Sequence, residues 1–181
     1  MTVDLPGLAA ALREIGPEGF RPSRLNPLLE GIVLDPVSVA PYIRFKEAGY
    51  TRSLVYADEQ FELMVLSWEA GSASTIHDHM GQQCWFVAHS GTFEIENYRL
   101  VAGGGRPGYA RVDKLNTEAG VTVGMPDYRG LDNEIHRVCV PKSAGRAVSV
   151  HVYAQPINHC LIFDASRQRC VEKALTFDYC P

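Results

Sequence analysis

Two histidines separated by a single residue carry the clearest chemical signal in this sequence. His77 and His79 stand in the segment Ile-His-Asp-His. Side chains alternate between the two faces of a β-strand, so both imidazoles would project from one face and Asp78 from the other. Two neighbouring imidazoles can chelate one metal ion, although many such pairs are surface or hydrogen-bonded residues. The spacing makes a metal site a hypothesis that needs further ligands.

A third ligand would have to come from a later strand, and His136 is the best-placed candidate. It begins the β-like run HRVCV and follows a turn rich in Gly, Pro and Asp. Three imidazoles could hold zinc, copper or iron, and the general order of affinities favours copper and zinc over Fe(II). The ligand set alone leaves the identity of the metal open.

A second polar row lies in the segment AVSVHVY, in which polar and apolar residues alternate strictly. Ser149, His151 and Tyr153 share one face of the predicted strand, and three valines share the other. An edge strand with its polar face in water alternates in the same way. Alternatively, the hydroxyl of Ser149 orients His151, and His151 orients the phenol of Tyr153 beside the metal.

The elements that must position these side chains change in character along the chain. The first fifty residues contain apolar stripes with the capping signals of short helices. Asp4 with Pro6 predicts the start of one helix, Ser23 can cap a second, and Asp35 with Pro36 opens a third.

From Thr51 onwards the sequence has the character of a β protein. Short runs rich in β-branched and aromatic residues are separated by Gly, Asp, Asn and Pro. No helix-length segment separates these runs, which disfavours parallel βαβ units and a nucleotide-binding sheet. We therefore predict a mainly β fold, an antiparallel sandwich or barrel with an N-terminal helical segment.

The length of the chain limits the number of domains. Its 181 residues, 46% of them hydrophobic, are enough to bury one substantial core but are few for two independent domains. We predict a single domain over residues 1–181, with a helical brace at residues 1–50 and a β-barrel at residues 51–181.

Charge and cysteine content disfavour several classes of protein. The net charge is −4 and the basic residues are scattered, so a nucleic-acid partner is not expected. No run of about 18 apolar residues predicts a membrane span, and no export signal is recognisable at the N-terminus. The five cysteines are an odd number without a Cys-x-x-Cys pair, as is typical of reduced thiols. We predict a cytoplasmic monomer without a membrane partner.

The spacing around the histidine pair resembles a known signature. The order is Gly71, five residues, His77, one residue, His79, four residues, Cys84, six residues and Gly91. This resembles the first motif of the cupin superfamily, whose members form a small double-stranded jelly-roll β-barrel. Cupins usually carry a metal-binding Glu at the position of Cys84. The absence of that carboxylate would leave only neutral ligands.

The second cupin motif is met only in part. Gly120, five residues and Pro126 fit it, but His136 comes several residues later than the motif requires. We therefore expect an inserted loop before His136.

The order of several motifs makes the resemblance more specific. Tyr-Thr-Arg, Ile-His-Asp-His with a cysteine five residues after the second histidine, Ile-His-Arg-Val and Ser-Val-His-Val-Tyr occur in the order typical of cysteine dioxygenases. The resemblance extends over nearly the whole chain. It implies that His77, His79 and His136 bind Fe(II) and that Ser149, His151 and Tyr153 stand around the iron site.

The same resemblance assigns roles to three further residues. Arg52, with Tyr50 beside it, would recognise the carboxylate of the substrate. A planar guanidinium can hold a carboxylate through two parallel hydrogen bonds, although Arg52 could also form an ordinary surface salt bridge. Some family members join a cysteine at the position of Cys84 to the matching tyrosine, here Tyr153, through a thioether bond. The other interpretation of Cys84 is a buried free cysteine.

Three functions remain open from the sequence. The first is oxidation of L-cysteine by O2 to cysteine sulfinic acid, and the second is the same reaction with another small thiol such as 3-mercaptopropionate. The third is a metal-binding cupin that is not an oxygenase, such as an isomerase or a binding module. Arg52 favours the first, because relatives that prefer 3-mercaptopropionate typically have Gln at its position. The missing cupin Glu and the Ser149, His151 and Tyr153 row favour an oxygenase over the third.

Overall fold

The computed structural model describes residues 2–130 and 134–181. Its N-terminal part is helical, as predicted. The helices are α1 (Leu5–Ile15), α2 (Pro22–Leu29) and α3 (Pro36–Val39). The sequence did not predict the short parallel strand pair that ties this region together, formed by β1 (Thr2–Val3) and β2 (Val33–Leu34).

Two of the three predicted helix caps are confirmed. Asp4 caps α1 by accepting a hydrogen bond from the backbone N–H of Gly7 at 2.7 Å. Asp35 caps α3 in the same way. The prediction for α2 was wrong, because Arg21 is its N-cap and makes no side-chain capping bond. Pro22, with its fixed φ, takes the first helical position and leaves Ser23 inside the first turn.

The β-rich part begins at Tyr50, one residue before the predicted boundary. Its strands are short and are joined mainly by turns. They are β3 (Tyr50–Ala57), β4 (Phe61–Trp68), β5 (Ile76–His77), β6 (Cys84–Ser90), β7 (Phe93–Gly103), β8 (Gly108–Val121), β9 (Asp127–Arg129), β10 (His136–Cys139), β11 (Ala147–Ala154), β12 (His159–Asp164) and β13 (Arg169–Ala174).

These strands form two facing antiparallel sheets. One sheet has the strand order β3-β4-β11-β6-β9. The strands of the other close into a barrel, with the first hydrogen-bonded to the last, in the order β10-β5-β12-β13-β8-β7. An apolar cluster fills the space between the sheets, with Phe86 from one sheet and Phe93 from the other in edge-to-face contact. The chain therefore has the predicted mainly β cupin fold with an N-terminal helical segment. In the described part of the chain, no helix has the length and apolarity needed to cross a membrane.

Strand β11 lies in the middle of the five-stranded sheet, between β4 and β6, and all of its residues are buried. Its valines pack in the cluster formed with the N-terminal helices. The opposite face turns Ser149, His151 and Tyr153 towards the second sheet. The interpretation of this strand as a solvated edge is therefore wrong, because both of its neighbours and both of its faces are occupied.

Candidate metal centre

The three predicted histidine ligands come together in the structure. Potential ligand nitrogens of His77, His79 and His136 all lie within 4.8 Å of one another. His77 ends β5 and His136 begins β10, and these two residues are register partners in neighbouring strands. The strand ends before His79, so the predicted alternation holds only for the first histidine. His79 nevertheless reaches the cluster from the following turn.

Hydrogen bonds set the orientation of two of these rings. Nδ1 of His77 lies 2.9 Å from the carbonyl oxygen of Thr75, and Nδ1 of His136 lies 3.0 Å from that of Glu134. A carbonyl oxygen can only accept, so each Nδ1 carries the proton and each Nε2 keeps a free lone pair. Nδ1 of His79 is buried and has no hydrogen-bond partner among the described residues. The donor set therefore fits a metal ion.

Burial keeps all three imidazoles neutral near pH 7. It lowers the pKa of His77 to about 4 and holds the pKa of His79 and His136 well below the ordinary value. The proximity of the rings to one another lowers the pKa of His79 and His136 further. Neutral imidazole is the form that binds metal. No carboxylate belongs to the cluster among the described residues, so a bound divalent cation would keep its full charge.

One carboxylate, which sequence reasoning missed, supports the cluster from outside. Oε1 of Glu134 accepts hydrogen bonds from the backbone N–H groups of His79 at 3.0 Å and Gly81 at 2.6 Å. Because its own carbonyl holds His136, Glu134 connects two of the candidate ligands. The available signal was an acidic residue two positions before His136. Residues 131–133, which belong to the predicted inserted loop, lie outside the described residues.

Ser149 and His151 are hydrogen-bonded as predicted, with 3.0 Å between Oγ and Nε2. The indole N–H of Trp68 donates to the same Oγ at 2.9 Å. Because an indole nitrogen can only donate, the Ser149 hydroxyl accepts from it and is free to donate its own proton to His151. Burial lowers the pKa of His151 to about 3, so the ring is neutral at physiological pH.

The predicted contact between His151 and Tyr153 is not a direct hydrogen bond in the described part of the chain. The two rings are stacked with centroids 6.1 Å apart, as expected for side chains two residues apart on one strand face. Cys84 lies beside both, with its Sγ 4.0 Å from Nδ1 of His151 and with Tyr153 as its register partner on the neighbouring strand. Burial raises the pKa of Cys84 and Tyr153, so both groups are protonated.

Arg52 and Tyr50 lie on β3 and line the same cavity as the three histidines, His151 and Tyr153. Arg52 is only 8% exposed, so the interpretation of a surface salt bridge is wrong. Its Nη1 donates to the carbonyl oxygen of Thr176 at 3.3 Å, and its guanidinium lies 5.3 Å from the ring centroid of Phe177.

Sequence reasoning missed this C-terminal segment, which runs beside β3. The backbone N–H of Asp178 donates to the carbonyl oxygen of Arg52, and its carboxylate accepts from the N–H of Arg52. Leu54 N–H donates to the carbonyl oxygen of Tyr179. The segment thereby fixes the strand that carries Arg52.

Comparisons with known proteins show which family this chain is similar to. The family model described as "Cysteine dioxygenase type I" matches residues 24–166. Human cysteine dioxygenase type 1 is 29% identical over 154 residues, 84% of this chain and 74% of the human protein. The Danio rerio protein of the same name is 30% identical over 142 residues, 76% of this chain and 67% of that protein.

The chain also resembles solved structures, among them TT1209 from Thermus thermophilus. That match has 15% identity and a TM-score of 0.46, and it covers 65% of this chain and 93% of the other. On the strength of the family match, which spans most of its length and all the candidate site residues, the chain belongs to the cysteine dioxygenase type I family.

Proposed function

We propose that this chain is an Fe(II)-dependent thiol dioxygenase that converts L-cysteine and O2 to cysteine sulfinic acid. The observation that carries the proposal is one cavity lined both by Arg52 and by the His77, His79 and His136 cluster. When bound by these histidines, Fe(II) would supply open positions for a thiolate and O2 and the redox chemistry between them. Both oxygen atoms end on sulfur, so the reaction needs no further reductant.

Arg52 would bind the substrate at the end of the cavity away from sulfur. Its guanidinium can hold a carboxylate through two parallel hydrogen bonds, which fixes the direction in which the thiol points. The contacts to Thr176 and Phe177 keep the guanidinium in place before the substrate arrives. Restricting the orientation of the substrate in this way lowers the entropic barrier to reaction.

Tyr153 would act next to the reacting sulfur. Its ring lies 5.6 Å from that of His79, and its raised pKa keeps the phenol protonated. The hydroxyl can therefore donate a hydrogen bond to oxygen atoms that gain negative charge during the reaction. His151, held by Ser149, packs beside Tyr153 and limits the positions of its ring. Leu66, Val138 and Ile157 line the cavity and exclude water.

We also propose that Cys84 and Tyr153 form a thioether crosslink. The two residues are register partners on β6 and β11, and the thiol and the phenol are close enough to shift each other's pKa. Formation of a carbon–sulfur bond between them removes two hydrogen atoms, and O2 is the oxidant that accepts the two electrons. The bond would fix the phenol on the cavity wall.

Oxygen consumption tests the proposed activity. Protein loaded anaerobically with Fe(II) is exposed to O2 with L-cysteine, 3-mercaptopropionate or cysteamine. We expect the fastest uptake with L-cysteine, because it offers a carboxylate to Arg52 and both a thiol and an amine to the metal. Faster uptake with 3-mercaptopropionate would reassign the substrate. Metal binding without thiol-dependent uptake would favour a cupin that is not an oxygenase.

A further inference from the structure

A buried carboxylate stands behind the substrate-binding arginine. Glu62 is the one charged residue in the apolar strand β4, and it is 3% exposed. Its Oε1 lies 3.5 Å from Nη2 of Arg52, which is an ion pair too long for a good hydrogen bond. The same oxygen is buried and has no hydrogen-bond partner in the described residues. The positive charge of Arg52 is therefore the main interaction that stabilises the ionised form of this carboxylate.

Apart from Arg52, the groups that face Glu62 add no positive charge. Arg52 faces it from β3, Tyr153 is its register partner on β11, and Cys84 approaches from β6. The backbone N–H of Ile157, in the loop after β11, lowers the pKa of the carboxylate but carries no charge. Tyr153 and Cys84 are neutral, since burial raises the pKa of both. One cation is thus shared between Glu62 and any carboxylate that enters the cavity.

A substrate carboxylate would place two acids on one guanidinium in a site with little water. Two carboxylates that share a site cannot both remain ionised without a large cost, so one of them takes up a proton. An α-carboxyl group has an ordinary pKa of about 3.5. Burial has already raised the pKa of Glu62 to about 7, so Glu62 is the group that accepts the proton.

We propose that Glu62 tunes carboxylate recognition, because a substrate carboxylate replaces it as the counter-ion of Arg52 and Glu62 then takes up one proton from solvent. The inference rests on the proposed function, in which the substrate carboxylate reaches Arg52. Glu62 lies behind the cavity wall and acts through Arg52, so it is a positioning residue. No bond other than the new O–H bond of Glu62 is formed, and no electrons are transferred.

The proposal predicts how binding depends on pH. Below the pKa of Glu62 the group is already protonated, and binding requires no proton uptake. Above it, binding of L-cysteine becomes weaker by about tenfold per pH unit. The reason is that Glu62 must take up a proton on binding, and the proton concentration falls tenfold with each pH unit. Glu62→Gln keeps the shape of the side chain but cannot ionise, so binding to this variant should lack this pH dependence.

Two measurements compare the wild type with Glu62→Gln on the same substrate, so that the ionisation of cysteine itself cancels. The ratio of the KM values, wild type over variant, should rise at least about tenfold between about pH 6.5 and pH 8.5, while kcat changes little. Anaerobic calorimetry of the iron-loaded protein in buffers of different ionisation enthalpy should find about one more proton taken up by the wild type near pH 8.5. Glu59→Gln, an exposed site in the same hairpin, is the matched control and should behave as wild type.

A third measurement needs no variant and remains decisive if Glu62→Gln does not fold. The infrared difference spectrum of the wild type near pH 8.5 should gain a protonated carboxyl band when cysteine binds, and ¹³C labelling of the cysteine carboxylate should leave that band unshifted. Absence of the band, or equal proton counts in wild type and variant, would overturn the role of Glu62 while leaving the dioxygenase assignment intact. A chain that neither binds nor oxidises cysteine would overturn both.

Discussion

Cys84 and Tyr153 are register partners on the neighbouring strands β6 and β11, and the Cys84 thiol lies 4.0 Å from the imidazole of His151. This relationship places a protonated thiol between two side chains of the polar row. His151 and Tyr153 do not bond directly, because side chains two residues apart on one strand face stack side by side, here with ring centroids 6.1 Å apart. The position of Cys84 therefore affects the position of the Tyr153 phenol.

The first prediction concerns the covalent state of this pair. After turnover with Fe(II), cysteine and O2, a fraction of the chain should lose the mass of two hydrogen atoms and give a joined peptide that contains Cys84 and Tyr153. Intact-mass and peptide mass spectrometry measure this change. Cys84→Ser should never show it, and a wild-type mass that stays unchanged after many turnovers would exclude the crosslink.

The second prediction concerns substrate recognition. Arg52→Gln removes a charge-assisted contact worth about 1.5–3 kcal/mol, so the KM for L-cysteine should rise by about 10- to 100-fold, with a smaller change in kcat. The effect on cysteamine, which has no carboxylate, should be much smaller. Arg146→Gln removes an exposed arginine that pairs with Glu69 and serves as the control. An unchanged KM in Arg52→Gln would remove Arg52 from the binding site.

The third prediction concerns the support of the metal ligands. Glu134→Ala removes the acceptor that holds the backbone of His79 and Gly81, so the affinity for Fe(II) should fall by about 10- to 100-fold. Glu134→Gln keeps an acceptor oxygen and should stay close to wild type. Anaerobic metal titration measures both affinities. Equal affinities for the wild type and Glu134→Ala would show that this carboxylate does not position the ligands.

The fourth prediction concerns stability in acid. Burial lowers the pKa of His151 to about 3, from the ordinary value of 6.5. As the pH falls below 6.5, His151 binds a proton in the unfolded chain but stays neutral in the folded chain. The stability of the fold therefore decreases from pH 6.5 down to the pKa of His151 in the folded chain. Between those limits this single group contributes a slope of up to about 1.4 kcal/mol per pH unit.

Denaturant unfolding of metal-free wild type and His151→Gln at several acidic pH values measures this slope. The variant should lose stability less steeply than the wild type, whatever the difference between the two near pH 7. Parallel slopes would mean that His151 is protonated as easily in the folded chain as in the unfolded chain.

Local patterns were sufficient to predict much of this site. The alternation in β11 placed Ser149, His151 and Tyr153 on one face because side-chain direction in a strand has a fixed period. The Asp4 and Asp35 caps were predictable for a similar reason, since a cap contacts residues only three positions away. The single-domain organisation, monomeric state and cytoplasmic location remain predictions.

The surroundings of Arg52 could not be predicted in this way. Thr176, Phe177 and Asp178 reach it from more than 120 positions along the chain, and no local pattern encodes such contacts. Glu62 left a partial signal, because a charged residue in a mainly apolar strand needs a compensating partner if that strand is buried. The identity of that partner depends on the offset between β3 and β4, which a β-bulge after Leu54 alters.

Thiol-dependent O2 uptake, measured together with the product, tests the central claim most directly. Protein loaded anaerobically with Fe(II) and then mixed with L-cysteine and O2 should consume one O2 for each cysteine sulfinic acid formed, and His136→Ala should abolish both. Bound iron with no cysteine-dependent O2 consumption, or consumption that yields cystine in place of the sulfinic acid, would contradict the assignment of this chain as a cysteine dioxygenase.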